Sequence, residues 1–185
     1  MACTISSGRI EQCKDSVSGL KAIYFINNQI QKSDITYDAT TPAVSDVITA
    51  IINVDSLYKY ELKSTENTFE QTINSDRNSG TTFFTQTLNI KLKKQDIATS
   101  KNVKLLSYGM PHIVVQTNAG QFFIMGLLRG SDLTSGGISS GGAMGDFSGY
   151  SLTFEGQEEC YANFLNAATE SQMIALFTSA TLVVG

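Results

Sequence analysis

Apolar and polar positions alternate with a period of two along most of this chain. The runs are short and broken by Gly, Asn, Ser and Thr, which is strand patterning rather than helix patterning. Tyr58, Tyr60 and Leu62 alternate with Lys59, Glu61 and Lys63, the clearest such stretch, and predict one buried and one wet face. Leu20 to Asn27 (LKAIYFIN) is apolar on both faces and predicts a strand covered on both sides. Val47 to Asp55 is rich in β-branched residues and reads as a further strand. Glu66 to Asp76 alternates weakly, Asn78-Ser79-Gly80 marks a turn, and residues 81–94 form one long alternating run. There Phe84, Leu88, Ile90 and Leu92 share a face, opposite Thr85, Thr87, Asn89, Lys91 and Lys93. At ~3.3 Å per residue this strand exceeds ~40 Å, longer than a small core needs.

One helix is expected after it. Asp96 supplies a cap, and Ile97, Lys101, Lys104 and Leu105 follow helical spacing up to Gly109 and Pro111. PHIVVQT and QFFIMGLL, joined through Asn118-Ala119-Gly120, then predict a β-hairpin. A Gly/Ser-rich segment follows, RGSDLTSGGISSGGAMGDFSG, with six of the chain's fifteen glycines between Gly136 and Gly149. It reads as an extended loop at about 130–148, and deleting Ser135 to Gly142 is expected to leave a folded chain. The loop keeps Leu133, Ile138, Met144 and Phe147, and a solvated linker has no use for large apolar side chains. YSLTFEG is a strand, and Tyr161 and Phe164 are expected to anchor the polar stretch after it. Met173 to Phe177 fits a strand or a short helix, and SATLVV a last strand pairing with the first. A turn is expected at Thr40-Thr41-Pro42.

The expected fold is therefore mainly β, a barrel or sandwich of eight to ten strands with one or two short helices and long hairpin and loop extensions. Residues 1–18 are polar and read as an N-terminal arm, and residues 19–185 as a single β-rich domain.

Composition narrows the functions. Only 16% of the 185 residues are charged, below the ~25% usual for soluble domains, which suits a surface used in contacts. The net charge is −4, and KLKK (Lys91 to Lys94) is the one basic cluster, so gripping nucleic acid by charge is not expected. The three cysteines, Cys3, Cys13 and Cys160, are too few and too far apart for a disulfide framework, and reduced thiols are expected. Neither a secretory signal nor a run of ~20 apolar residues is visible, so no membrane partner is expected.

Candidate chemistry is sparse. His112, the only histidine, reads as a strand histidine with a hydrogen-bond partner, and its pairing with Cys160 as a nucleophile lacks a local signature. The glycines do not make a phosphate loop, because no Gly-Lys-Ser/Thr leads into a helix. Glu155, Glu158, Glu159 and Asp146 read as a solvated strand end rather than a cation site. No catalytic, metal or cofactor residues are assigned and an enzyme is not expected. The positive signals are subunit contacts: Leu133, Ile138, Met144 and Phe147 on the loop, and Phe84, Leu88 and Ile90 on the long hairpin.

Leu105-Leu106-Ser107-Tyr108-Gly109, PHIVVQTNAGQFFIMG, Ala143-Met144-Gly145-Asp146 and Gly149 to Glu158 together resemble phage tail-tube proteins and related tail or neck ring proteins. The resemblance covers roughly residues 81–160, and the opening GRIEQCKDSVSGLKAIYF is similar to the start of such proteins. It implies a virion structural protein assembled in the host bacterial cytoplasm. Subunits would join sheets into a homo-oligomeric ring, commonly a hexamer, stacked around a lumen that passes genomic DNA without specific binding. Other phage tail or neck proteins are the implied partners. The resemblance points to Thr82 to Lys93 as the inner-sheet arm and Ser131 to Phe147 as the inter-ring loop. A head–tail connector ring, a capsid decoration protein, and a ligand- or carbohydrate-binding β-domain with an exposed aromatic platform remain as alternatives.

Overall fold

The computed structural model describes residues 7–11, 13–27, 29–40 and 46–185. In order the elements are β1 (Leu20–Ile26), a 3-10 turn (Lys32–Asp34), β2 (Ile35–Tyr37), β3 (Ile48–Ile51), β4 (Ser56–Glu61), β5 (Thr68–Asp76) and β6 (Thr81–Lys93). There follow α1 (Ile97–Leu106), β7 (His112–Thr117), β8 (Phe122–Met125), β9 (Asp132–Ser139), β10 (Gly149–Glu158), β11 (Asn163–Phe164), α2 (Glu170–Leu176) and β12 (Thr181–Val184). The protein is mainly β with short helices, as its alternation predicts.

A six-stranded sheet, β11-β8-β7-β1-β4-β12, forms the middle layer. Its central strands are apolar at successive positions because both faces are covered. Ile23, Phe25, Ile113, Val115, Phe123 and Met125 face one core, closed by the second sheet, β5-β6-β10-β9, and by Val103 of α1. Tyr24, Ile26, Val114, Phe122 and Ile124 face the other core, closed by the β2–β3 pair and by Met173 and Phe177 around α2. Asp96 caps α1, its Oδ1 accepting from Thr99 N at 2.7 Å, while Thr169 and Gln172 form a reciprocal capping box on α2.

Several expectations are corrected. Asp132–Ser139 is a strand paired along β10, so the extended loop shrinks to residues 140–148. Glycine did not stop pairing there, because an edge strand needs a partner on one side only. β12 pairs in parallel with β4 rather than with β1, because β1 already has β4 and β7 on its two sides. Tyr161 and Phe164 lie largely at the surface, and Ala162 and Leu165 are the buried anchors. On β4, Lys59 is not on a wet face. It points towards α2, where Nζ sits 2.8 Å from Glu170 Oε1, while Tyr58 is exposed. Thr41 and Pro42 of the expected turn lie outside the described residues, as does Cys3; Cys13 and Cys160 are free thiols.

Candidate assembly surface

Conventional reactive groups are tied into the framework. His112 is fully buried; Nδ1 lies 2.6 Å from Gly126 O, and Nε2 accepts from Ile30 N at 3.3 Å. That pair of partners defines a neutral ring with its proton on Nδ1. Burial holds its pKa below the ordinary 6.5. Gly126 and Gly130 make the facing turn at positive φ, where a Cβ on Gly126 would run into Gly130 and Ser131. Gln86 ties the two sheets together through the same turn, its Oε1 accepting from Gly126 N at 2.9 Å. Glu158, expected at a solvated strand end, is buried instead, and its Oε1 accepts from Leu128 N and Arg129 N. Burial and the nearby Glu158 carboxylate push the Cys160 thiol up, away from a nucleophilic thiolate. Among the described residues, no three His, Cys, Asp or Glu side chains gather at metal-binding spacing.

The four-stranded sheet offers more. Every adjacent pair in β5-β6-β10-β9 is antiparallel. One face packs on the core through Phe69, Leu88, Ile90, Leu152 and Phe154. Among the described residues no helix or strand covers the other face. Register aligns its side chains into rows: Thr68, Asn89, Thr153 and Ser135 make one, and Glu70, Thr87, Glu155 and Asp132 the next. Asn89 Nδ2 donates to Thr68 Oγ1 at 3.2 Å, and Thr153 Oγ1 donates to Asn89 Oδ1 at 2.8 Å. Asn74 Nδ2 similarly donates to Thr85 Oγ1 at 2.9 Å. The polar side chains thus satisfy one another and leave a short-chained, hydroxyl- and amide-rich plane. Its lysines stand at one end, where Lys91 pairs with Glu66 and lies 5.5 Å from the Phe147 ring centre.

The sheet is also longer than its core. β10 ends against Phe84, whereas the β5–β6 pairing continues to Asp76 and Thr81. That hairpin tip projects at one end and residues 140–148 at the other. In the loop, Asp146 Oδ2 accepts from Gly142 N and Ala143 N at 2.9 and 2.7 Å, and Met144 is fully exposed.

The structure divides the expected contact residues. Ile138, Met144 and Phe147 are exposed; Leu133 and Phe84 are half-buried, with the Phe84 ring 6.4 Å from that of Tyr161. Leu88 and Ile90 are a correction. At 0% and 1% exposure they belong to the core, because the long strand turns this face onto the middle sheet. Sequence reasoning passed over Ile73, which shares the core-side face with Phe69 and Gln71 yet is 65% exposed on the outermost strand. Its alternation with Thr72 and Asn74 was the available signal. Compared with protein-family models, with curated proteins and with solved structures, the chain matches none.

Proposed function

We propose that this chain is a virion structural protein, the subunit of a phage tail tube, which assembles with copies of itself into stacked hexameric rings around a DNA conduit. The carrying observation is the four-stranded sheet: its outer face is polar and, among the described residues, uncovered, and its two margins, β5 and β9, are both outermost strands. Outermost strands present unpaired backbone groups that invite another chain. Proteins often blunt such margins with lysine or proline, and β9 carries neither. Because β5 and β9 run in opposite directions, β9 of one copy continues into β5 of the next as a regular antiparallel pair. Repeating that heterologous contact closes a ring.

In such a ring the hydroxyl-rich face lines the bore. Its row of Glu70, Glu155 and Asp132 makes a weakly acidic belt that repels phosphate. The β5–β6 tip and the 140–148 loop, at opposite ends, are placed to meet between rings. The mechanism is mechanical: sheet continuation within a ring, loop clamping between rings, and a bore that does not grip DNA.

One observation favours a ligand-binding β-domain instead, a cleft of about 230 Å3 lined by Phe25, Tyr58, Tyr60 and Pro111 beside α1. Native mass spectrometry separates the two. The tube reading expects particles at multiples of the 20.0 kDa chain, with six copies dominant, and the ligand-binding reading a stable monomer.

A further inference from the structure

We infer a specific lateral lock between neighbouring copies: Ile73 on β5 of one enters the cleft beside Gly136 on β9 of the next, with Ile73 opposite Gly136. This rests on the ring reading and adds to it the residues and the register.

Three observations carry it. First, the margins are chemically matched. The cleft runs between α1 and β9, about 350 Å3, lined by Val103, Leu133, Ile138 and Leu152 around the bare backbone of Gly136 and Gly137. At the other margin Ile73 projects on the same core-side face and is 65% exposed. Glu70 and Asp76 of β5 and Asp132 of β9 all lie on the opposite, outer face, so the match between the two margins is apolar rather than ionic.

Second, the backbone groups face correctly. Lys91 N donates towards the β5 side, to Asn67 Oδ1 at 2.8 Å, and Lys94 N towards the β10 side, to Ser148 O at 2.8 Å. Following that alternation across the sheet turns the N–H and C=O of Ile73 outwards on β5, and those of Gly136 outwards on β9. The two residues can exchange both hydrogen bonds as a pair.

Third, the register gives the tilt a closed sheet needs. Within one copy Gly136 is level with Leu152 and Ile90, and Thr68 with Asn89, so Gly136 stands level with Asn67. Pairing Gly136 with Asn67 of the neighbour would leave the strands upright. An odd shift would turn every side chain to the wrong face. Pairing with Ile73 shifts each copy by six residues, about 20 Å over four strands about 19 Å wide, a slope of about 45°. Closed barrels have strand tilts of roughly 35–45°. A four-residue shift also falls in that range, but it would place the Gln71 amide in the apolar cleft. The Gln71 Oε1 is already engaged by Ala162 N at 2.7 Å.

The test is disulfide trapping in a full-length chain whose natural cysteines are changed to serine. In the inferred register Asn74 and Ser135 form a non-hydrogen-bonded pair, about 4.5 Å between Cα atoms and within disulfide reach. N74C/S135C should give a ladder of covalent oligomers on mild oxidation, and each single variant none. A ladder from T72C/S135C or T68C/S135C in its place overturns the register. Dimers from S135C alone overturn the pairing of unlike margins. If rings appear by electron microscopy but no pair cross-links, the lock is wrong while the ring reading stands. If the reduced protein forms no rings, the ring reading itself fails.

Discussion

Ile73 and Ile138 stand on the two outermost strands of one four-stranded sheet, on the same face, and both lie largely in solvent, at 65% and 58% exposure. Their near neighbours on that face, Phe69 and Leu133, pack against the core. The pair therefore marks where the apolar face outruns the molecule's own cover. Fully covering such a side chain is worth roughly 1.5–3 kcal/mol, enough to matter when repeated at every contact of a ring.

Ile73→Asp and Ile138→Asp should each abolish assembly while leaving the monomer's melting temperature within a few degrees of wild type, since neither site is buried in the monomer. Size-exclusion chromatography with a thermal melt reads both. Loss of the fold in either variant would place that residue in the core and contradict its role as a contact.

Changing the exposed sheet face should alter how the assembled protein treats DNA. Thr87→Lys with Glu155→Lys adds two cations and removes one carboxylate from the acidic row. Assembled variant particles should retain duplex DNA in a salt-dependent way at low ionic strength, and wild-type particles should not. A filter-binding series in salt measures this, and equal retention by both would remove the face from the bore.

Met144→Ser should leave folding and single rings intact but shorten tubes. Met144 touches solvent alone, and the loop around it is held by Asp146 rather than by Met144. Tube-length distributions in electron micrographs report the effect. Deleting Ser135 to Gly142 is no longer a clean test of the loop, because Ser135 to Ser139 belong to β9.

His112 makes stability depend on pH. Its folded pKa lies below the ordinary 6.5 because burial disfavours the charged ring. The unfolded chain therefore binds the proton first. The stability due to the neutral ring is complete above about pH 6.5 and falls as pH drops through 6.5 towards the folded value. Melts between pH 8 and pH 5 should show that loss. His112→Phe should remove its pH dependence and cost about 2–4 kcal/mol, because Ile30 N and Gly126 O both lose buried partners.

Much of the fold was legible in the sequence, for physical reasons. The alternation in residues 81–94 and 150–156 reported strands with one apolar and one polar face. LKAIYFI, with apolar residues on both faces, reported a strand covered on both sides, and PHIVVQT with QFFIMGLL reported a hairpin. Asp96 and the Asn118-Ala119-Gly120 turn marked their elements by local hydrogen-bonding chemistry. Long-range context was hidden. DLTSGGIS looks like loop because a margin strand leaning on β10 has little to bury. Lys59 looks solvated until α2 brings Glu170 to it. The candidate surface was half legible: Ile138 and Met144 stand out as apolar residues among glycines. Leu88, Ile90 and Ile73 share one sheet face, and only the position of the middle sheet separates core from margin.

The most direct test of the central claim is negative-stain electron microscopy of the purified protein across a concentration series. The account predicts sixfold rings with an open bore that stack into tubes as concentration rises. A monodisperse particle of about 20 kDa at every concentration, the size of one chain, would contradict it.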